Sequence, residues 1–191
     1  PIVEEFNRLL SGNKIFIERL AGVAVISKED ALSYNLVGPN LRGSGIKWDI
    51  RRDIPYSVYP ELDFEVPVGT AQVGSLGDSY DRFWVRIREM QESVKILYQC
   101  LKMLPKGPAI SKVPKKFRPP AGECYARVEA PRGDMGFYVV SDGSEYPYRV
   151  RIRTGSYTAM SIIDKLSKGI MVADLIALIG SLDVDAPEID R

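Results

Sequence analysis

The chain contains no histidine and only two cysteines, and these shortages exclude several kinds of catalytic and metal site. Without imidazole, the chain cannot supply a Ser-His-Asp triad, a histidine general base or a histidine-ligated metal. Cys100 and Cys124 lie far apart in the sequence and match no Cys-x-x-Cys pattern. Two distant thiols predict a reduced protein with buried cysteines, no disulfide and no metal site.

Long apolar runs and a strong charge imbalance are also missing. The longest strongly apolar run, residues 170–179, is interrupted by Asp174, and a helix needs about 20 residues to span a bilayer. The formal net charge is +1, which gives no sign of a nucleic-acid binder. Arg149, Arg151 and Arg153 share one face of a predicted strand, but no aromatic stacking pattern accompanies them.

Nucleotide-binding signatures are lacking as well. The glycine-rich stretch 38–45 has neither the Gly-Lys-Ser/Thr ending of a P-loop nor a GxGxxG sequence. We therefore interpret it as a tight surface loop, because glycine and proline favour turns. The chain therefore contains no recognisable dinucleotide-binding motif.

The clearest structural pattern is a long helix over residues 78–104. Its apolar residues recur at steps of three and four, about 100° per residue, and Asp78 can cap its start. A second, thinner apolar stripe predicts that the helix is covered on two sides. Pro105 and Gly107 follow it and are expected to end it.

The remaining patterns predict an α+β fold around that helix. Short helices are expected at 4–10, 15–25 and 28–35, and a short strand at 62–66. Alternation predicts a small antiparallel sheet within residues 123–153, with a turn at Asp142 and Gly143. Two C-terminal helices, 156–166 and 170–179, complete the prediction, and the second is apolar enough to be buried.

Residues 46–60 combine charged and aromatic side chains without a regular period. One interpretation is structural: Asp49 and Asp53 pair with Arg51 and Arg52 to hold an extended loop. The other is that these charges line a site or a subunit contact. Both interpretations stay open from the residues alone.

Several stretches of the chain resemble the D subunit of respiratory complex I, a family related to the large subunit of nickel-iron hydrogenases. The matching stretches are residues 7–13, 41–45, 49–56, 86–93, 136–153 and 181–191. The resemblance covers most of the chain in the family's order. It implies a fold like that of the hydrogenase large subunit, with residues 1–191 as the C-terminal part of a longer chain of this family.

The resemblance implies a role in a membrane-associated NADH-quinone oxidoreductase of the respiratory chain. The chain would help to form the quinone-reduction site and would dock the iron-sulfur-cluster subunit. It would hold no cofactor of its own, while the complex uses NADH and quinone. Its other partners would be further complex I-like subunits and, indirectly, the membrane arm, at the cytoplasmic side of the cell membrane. The fragment alone is expected to be inactive.

The resemblance also assigns roles to individual residues. Asp183, Asp190 and Arg191 are implied near the cluster end of the quinone site, where charge would influence the cluster's potential. Structural or subunit contacts are implied for a second group, Arg42, Asp49, Arg51, Arg52 and Tyr56.

Two alternatives to this function remain. The chain could be a non-catalytic structural subunit, or a subunit of a membrane-bound hydrogenase-related complex. Hydrogenases end in a Cys-x-x-Cys pair that holds the metal, whereas Asp185 and Glu188 occupy the matching positions here. Hard carboxylates do not replace two soft thiolates at such a centre, which argues against a hydrogenase.

Overall fold

A computed structural model describes residues 2–108, 110, 112, 114 and 116–190 of the chain. Arg191, one of the residues with an implied role, lies outside the described residues. Helices dominate, and one small sheet lies between the long helix and the C-terminal helices in sequence. The α+β prediction is therefore confirmed. Within the described residues, no helix is long and apolar enough to cross a membrane.

The long helix forms as predicted. It is α6, Ser79–Met103, and it begins where the Asp78 side chain accepts a hydrogen bond from the Asp81 amide at 2.8 Å. Its N-terminal half is buried by the surrounding elements, while Leu97 and Leu101 near its other end are exposed. The predicted cover on two sides is thus present only along the first half.

The first part of the chain forms three short helices: α1 at Ile2–Ser11, α2 at Lys14–Leu20 and α3 at Lys28–Ser33. The side chain of Asn13 caps α2 and that of Ser27 caps α3, each by accepting backbone N–H groups. The prediction for 15–25 was too long, because the chain leaves helical geometry at Ala21.

The predicted surface loop at 38–45 is wrong: the chain forms helix α4, Gly38–Gly43, and all six of its residues are buried. Pro39 suits the start of a helix, since a first-turn amide has no helical acceptor to lose. The glycines allow close packing instead of marking a turn. A Cβ on Gly43 would lie 2.8 Å from Arg82 Cγ, and one on Gly38 would lie 2.5 Å from Gly133 Cα.

Residues 46–66 differ from prediction in two places. The expected extended loop contains a short helix, α5 at Ile50–Asp53, which Asp49 caps, followed by a 3₁₀ helix at Tyr59–Glu61. The expected strand at 62–66 is absent from this described segment. Its amides bind side chains of α6 instead of another strand: Asp63 N donates to Gln99 Oε1 at 2.8 Å, and Glu65 N donates to Glu92 Oε2 at 3.0 Å.

The sheet is antiparallel, as predicted, and its strand order is β1–β2–β3. Its strands are β1 at Gly122–Ala130, β2 at Gly133–Ser141 and β3 at Arg149–Arg153. Cys124 pairs with Val139, and Phe137 pairs with Ile152. Both cysteines are free thiols, but the prediction that they are buried is wrong, since Cys100 is half-buried and Cys124 is exposed.

The C-terminal region forms α7 at Gly155–Ser161, α8 at Ile163–Leu166, α9 at Val172–Leu182 and α10 at Ala186–Ile189. The core lies here, where Leu178 and Leu182 pack with Ile162, Ile26 and Leu41. The prediction that the helix at 170–179 is buried is wrong for most of α9: Val172 is 85% exposed and Ile176 is 78% exposed. Only one side of α9 faces the core, and its outer side remains apolar and uncovered by the described residues.

Candidate functional site

A cavity of about 740 Å³ lies between α1, α2, α6, α9 and the end of β1. One wall is apolar and is formed by Phe6, Leu10, Phe16, Phe83, Ile87 and Met90. A second part of the lining, called the charged end, consists of Arg42, Arg51, Arg86, Glu89, Glu129 and Asp183. An apolar wall with a few converging polar groups is typical of small-molecule sites.

Arg42 lies at the centre of the charged end, with 1% of its side chain exposed. Its Nε donates to Glu89 Oε1 at 2.6 Å, and its Nη1 donates to Glu129 Oε1 and to the Trp48 carbonyl, both at 2.9 Å. Asp49 Oδ2 lies 3.5 Å from Nη1. Burial alone would lower the pKa of Arg42, but the three carboxylates raise it, so the guanidinium stays charged.

Asp49 links this cluster to α5. Its two carboxylate oxygens accept from Arg51 Nε at 2.9 Å and Arg51 Nη2 at 2.6 Å, a bidentate ion pair. Burial favours the neutral acid, but the hydrogen bonds from Arg51 and the charges of Arg51 and Arg42 outweigh it and lower the pKa of Asp49. The structure thus brings Arg42, Asp49 and Arg51 together.

The pKa of Glu129 is shifted in the opposite direction to that of Asp49. Burial raises the pKa of its carboxyl, and the charge of Asp49 adds to that effect although Arg42 opposes it. Its backbone amide donates to Tyr56 Oη at 3.0 Å, which connects Tyr56 to the end of β1. Within this cluster of three carboxylates and two guanidiniums, burial thus favours the neutral acid at Glu129.

Arg52 and Asp53 lie apart from this arrangement. Arg52 Nη2 donates to the Phe64 carbonyl at 2.5 Å, and its guanidinium carbon lies 3.9 Å from the centre of the Phe64 ring. Asp53 Oδ2 accepts from the Asp49 amide at 2.8 Å. The acid–arginine pairing predicted for residues 49–53 therefore forms for Asp49 and Arg51, whereas Arg52 stacks on an aromatic ring.

Of the C-terminal residues with an implied role, Asp183 lies at the cavity and Asp190 does not. Asp183 lines the cavity, with its Oδ2 atom 3.6 Å from Arg86 Nε and its carbonyl accepting from Arg132 Nε at 2.7 Å. Asp190 follows the last turn of α10 and is not among the described cavity residues. Arg132 Nη1 also lies 3.6 Å from Glu188 Oε1 and so ties the C-terminal segment to the β1–β2 turn.

The sequence analysis did not single out Arg86, Glu89, Glu129 or Arg132. A signal for the first two was present, because Arg82, Arg86, Glu89 and Ser93 follow helical spacing along α6 and form a polar row beside its apolar stripe. Glu129 lies near the end of β1, and Arg132 lies in the two-residue turn between β1 and β2. Their roles depend on which elements that turn meets, and short-range patterns do not contain this information.

The sequence matches a family described as "Respiratory-chain NADH dehydrogenase, 49 Kd subunit" over residues 1–118 and 109–191. A protein of Anaeromyxobacter dehalogenans, named as D subunit 2 of an NADH-quinone oxidoreductase, is 58% identical over 98% of this chain and 49% of its own length. A protein of the same name in Sorangium cellulosum is 57% identical over 100% of this chain and 50% of its own.

The NADH-quinone oxidoreductase D subunit of Chlorobaculum tepidum is 46% identical over 100% of this chain and 49% of its own length. The chain therefore spans about half the length of the curated relatives it matches. Both the family match and the identities cover nearly every residue, including those that form the cavity. This chain belongs to the family of the 49 Kd subunit of respiratory-chain NADH dehydrogenase.

Proposed function

We propose that this chain forms one side of the quinone-reduction site of an NADH-quinone oxidoreductase of the complex I type. The observation that carries the proposal is the cavity between α1, α6 and α9, with its apolar wall and charged end. It is supported by the names of the relatives, which are D subunits of NADH-quinone oxidoreductases.

The chemistry of a quinone fits both the apolar wall and the charged end of this cavity. The aromatic and aliphatic wall would bury the ring and the first part of an apolar tail, because burial removes apolar surface from water. The charged end offers donors to a carbonyl oxygen, and an active-site pocket commonly measures about 300–1,000 Å³. The volume of about 740 Å³ falls within that range.

The electrons for quinone reduction would come from an iron-sulfur cluster in a neighbouring subunit, and NADH would be oxidised elsewhere in the complex. In this proposal Asp183, Asp190 and Arg191 would lie near the cluster end of the quinone site. The position of Asp183 at the cavity supports this assignment for that residue. Residues 1–191 would form the C-terminal part of the subunit, with a fold like that of the hydrogenase large subunit.

Docking to other subunits is the second part of the proposal. Exposed apolar residues occur on the C-terminal half of α6 and on the outer side of α9, including Leu97, Leu101, Val172 and Ile176. Large exposed apolar patches mark interaction surfaces. The complex would hold the chain peripherally at the cytoplasmic side of the cell membrane. These surfaces also suit a purely structural subunit, so the test must separate docking from quinone binding.

The test places a charge in the apolar wall of the cavity. Met90→Asp in the full-length subunit should raise the KM for quinone about tenfold, corresponding to about 1.4 kcal/mol of lost binding, while the complex still assembles. Met160→Asp is the matched control, because Met160 is similarly exposed but belongs to α7, outside the described cavity and the proposed docking surfaces. A normally assembled Met90→Asp complex with unchanged KM would favour the structural subunit.

A further inference from the structure

One face of the sheet carries four arginines. Arg149, Arg151 and Arg153 occupy alternate positions of β3, so their side chains share a face and repeat about every 7 Å along the strand. Arg127 of β1 lies on the same face, because Arg127 and Arg153 both pair with Gly136 of β2. These four arginines are called the arginine face.

The carboxylates near the Arg153 end do not neutralise this face. Asp134 is shared by two arginines: its Oδ2 accepts from Arg127 Nη1 at 3.1 Å and lies 3.3 Å from Arg153 Nη1. Glu129 follows Arg127 by two positions in the strand, but it is bound by Arg42 Nη1 at 2.9 Å. One positive charge therefore remains uncompensated at this end.

The other end of the arginine face has even less compensation. Arg149 and Arg151 are exposed, and neither forms a hydrogen bond or an ion pair with the residues that the structure describes. Glu123 lies on the same face, where its carboxylate accepts a hydrogen bond from Tyr138 Oη. Because the formal net charge of the chain is only +1, this excess of positive charge is a local feature.

A second cavity, of about 400 Å³, lies at the Arg153 end of the arginine face. Arg127 and Arg153 line it together with apolar side chains that include Leu32, Leu36 and Trp48. Leu32 is 64% exposed, so an apolar group from outside the chain can reach this lining. None of the residues that line the second cavity lines the proposed quinone site.

β3 is also an edge strand. It pairs with β2 on one side and with no described strand on the other. The outer edge of a strand offers alternating backbone donors and acceptors, which an extended polypeptide can pair with and a lipid headgroup or a nucleic acid cannot match. Arginines on such an edge repel a second copy of the same strand and attract a strand of opposite charge.

We propose that the arginine face binds an extended, acidic segment of a partner protein. Carboxylates at alternate positions of that segment match the spacing of Arg149, Arg151 and Arg153, and arginine binds a carboxylate through two parallel hydrogen bonds. An apolar side chain of the segment occupies the second cavity. This surface is separate from the apolar surfaces of α6 and α9, and its role does not depend on quinone binding.

The experiment identifies what contacts the arginine face in cells that make the full-length subunit with its natural partners. The photo-crosslinking residue p-benzoyl-phenylalanine replaces Tyr125, which is 53% exposed and whose hydroxyl oxygen would lie 2.5 Å from a Cβ on Gly136, in the middle of the face. Irradiation should join this residue to one segment of a partner protein. Mass spectrometry of the cross-linked peptide should show that aspartate or glutamate recurs along that segment.

Charge reversal then tests the basis of the contact. The double variant with Arg149→Glu and Arg151→Glu should lower the cross-link yield about tenfold or more, because attraction becomes repulsion. Lys168→Glu makes a charge reversal at an exposed position outside the arginine face and should leave the yield unchanged. The thermal unfolding midpoint of the double variant should equal that of wild type, and the single variant Arg151→Glu provides the same test if it does not.

A charge exchange completes the test. Replacing two acidic residues of the cross-linked segment by arginine should restore the cross-link to the double variant. The proposal is overturned if the probe joins only lipid, nucleic acid, a second copy of this subunit or a segment without acidic residues. A cross-link yield that charge reversal leaves unchanged, or no cross-link at all, would also overturn it, because the arginines would then only be solvated charges on an edge strand.

Discussion

Arg42 and Arg82 are equally buried, with 1% and 0% relative exposure, but the protein binds them in opposite ways. Arg42 is surrounded by three carboxylates at the cavity. Arg82 instead donates to the carbonyls of Gly77 at 2.7 Å and Ala24 at 3.0 Å, and its Nη2 donates to Ser79 Oγ and Ser181 Oγ at 2.9 Å. Its acceptors are therefore neutral.

Arg42 therefore belongs to a cluster of charged side chains, whereas Arg82 joins neighbouring elements through neutral hydrogen-bond acceptors. Burial lowers the pKa of Arg82 to about 9, and the charge of Arg86 contributes to the decrease, whereas the pKa of Arg42 is raised. Arg82 is still charged at neutral pH. It joins α6, α9 and the segment around Ala24, and its stability contribution should be insensitive to mild acid. The Arg42 cluster should respond to pH because its partners titrate.

The largest expected effect is for Arg42→Met. The substitution leaves Glu89 and Glu129 without their ion-pair partner and close to Asp49, which Arg51 still binds. Breaking a buried ion pair in this way costs about 3–5 kcal/mol. The free energy of unfolding, measured by chemical denaturation at pH 7, should fall by that amount. Part of the loss should be recovered at pH 5, since protonation reduces the repulsion between carboxylates.

Arg52→Met is the matched control for that variant, because Arg52 is held by the Phe64 carbonyl and ring and not by the carboxylate cluster. It should cost about 1 kcal/mol and show no recovery in acid. Equal losses for Arg42→Met at pH 5 and pH 7 would mean that charge compensation is not what stabilises the cluster.

Arg82→Met should have the next largest effect. It removes donors from two buried carbonyls and two hydroxyls, and leaving buried acceptors unpaired costs about 1–3 kcal/mol. Relief of the buried charge offsets part of this cost, so we expect a loss of about 2–3 kcal/mol. Denaturation at pH 5 and pH 7 should give the same loss, and a strong acid dependence would contradict the contrast with Arg42.

The sequence predicted those parts of the fold that depend on local periodicity. The apolar spacing along α6 and the alternation of β1, β2 and β3 depend on near neighbours, and both were confirmed. Gly38–Gly43 was misinterpreted because its glycines indicate a turn locally but serve close helix packing in three dimensions. Residues 62–66 alternate like a strand, yet their amides bind side chains of a helix.

The site was harder to predict, because most of its contacts join residues that are distant in the sequence. Asp49 and Arg51 are two positions apart, so their pairing could be expected from the sequence. The carboxylates that bind Arg42 are 47 and 87 positions away, at Glu89 and Glu129. Only the packing of α4 against α6, and of α5 against β1, brings these residues together. The polar row on α6 could have indicated Arg86 and Glu89, although not their partners.

Asp49→Asn should sharpen the contrast through its pH dependence. Because the folded protein lowers the pKa of Asp49, the stabilisation is present above its ordinary pKa of 3.8 and is lost as the pH falls through the lower folded value. The variant should be about 1–2 kcal/mol less stable at pH 7. The difference in unfolding free energy between the variant and wild type should become smaller below pH 4. Denaturation experiments at a series of acidic pH values measure it. A constant difference would exclude Asp49 as the titrating partner.

The smallest expected effect is for Ser181→Ala, which tests the neutral binding of Arg82. Ser181 Oγ accepts from Arg82 Nε at 3.2 Å and from Nη2 at 2.9 Å, and it donates to the Leu178 carbonyl at 2.8 Å. Its removal should cost about 0.5–1.5 kcal/mol of unfolding free energy. In the Arg82→Met background the cost should fall, because the hydroxyl then has no guanidinium to bind. A double-mutant cycle measures this coupling, with exposed Ser33→Ala as the uncoupled control. If the two losses add within about 0.5 kcal/mol, Ser181 does not contribute to holding the buried charge of Arg82.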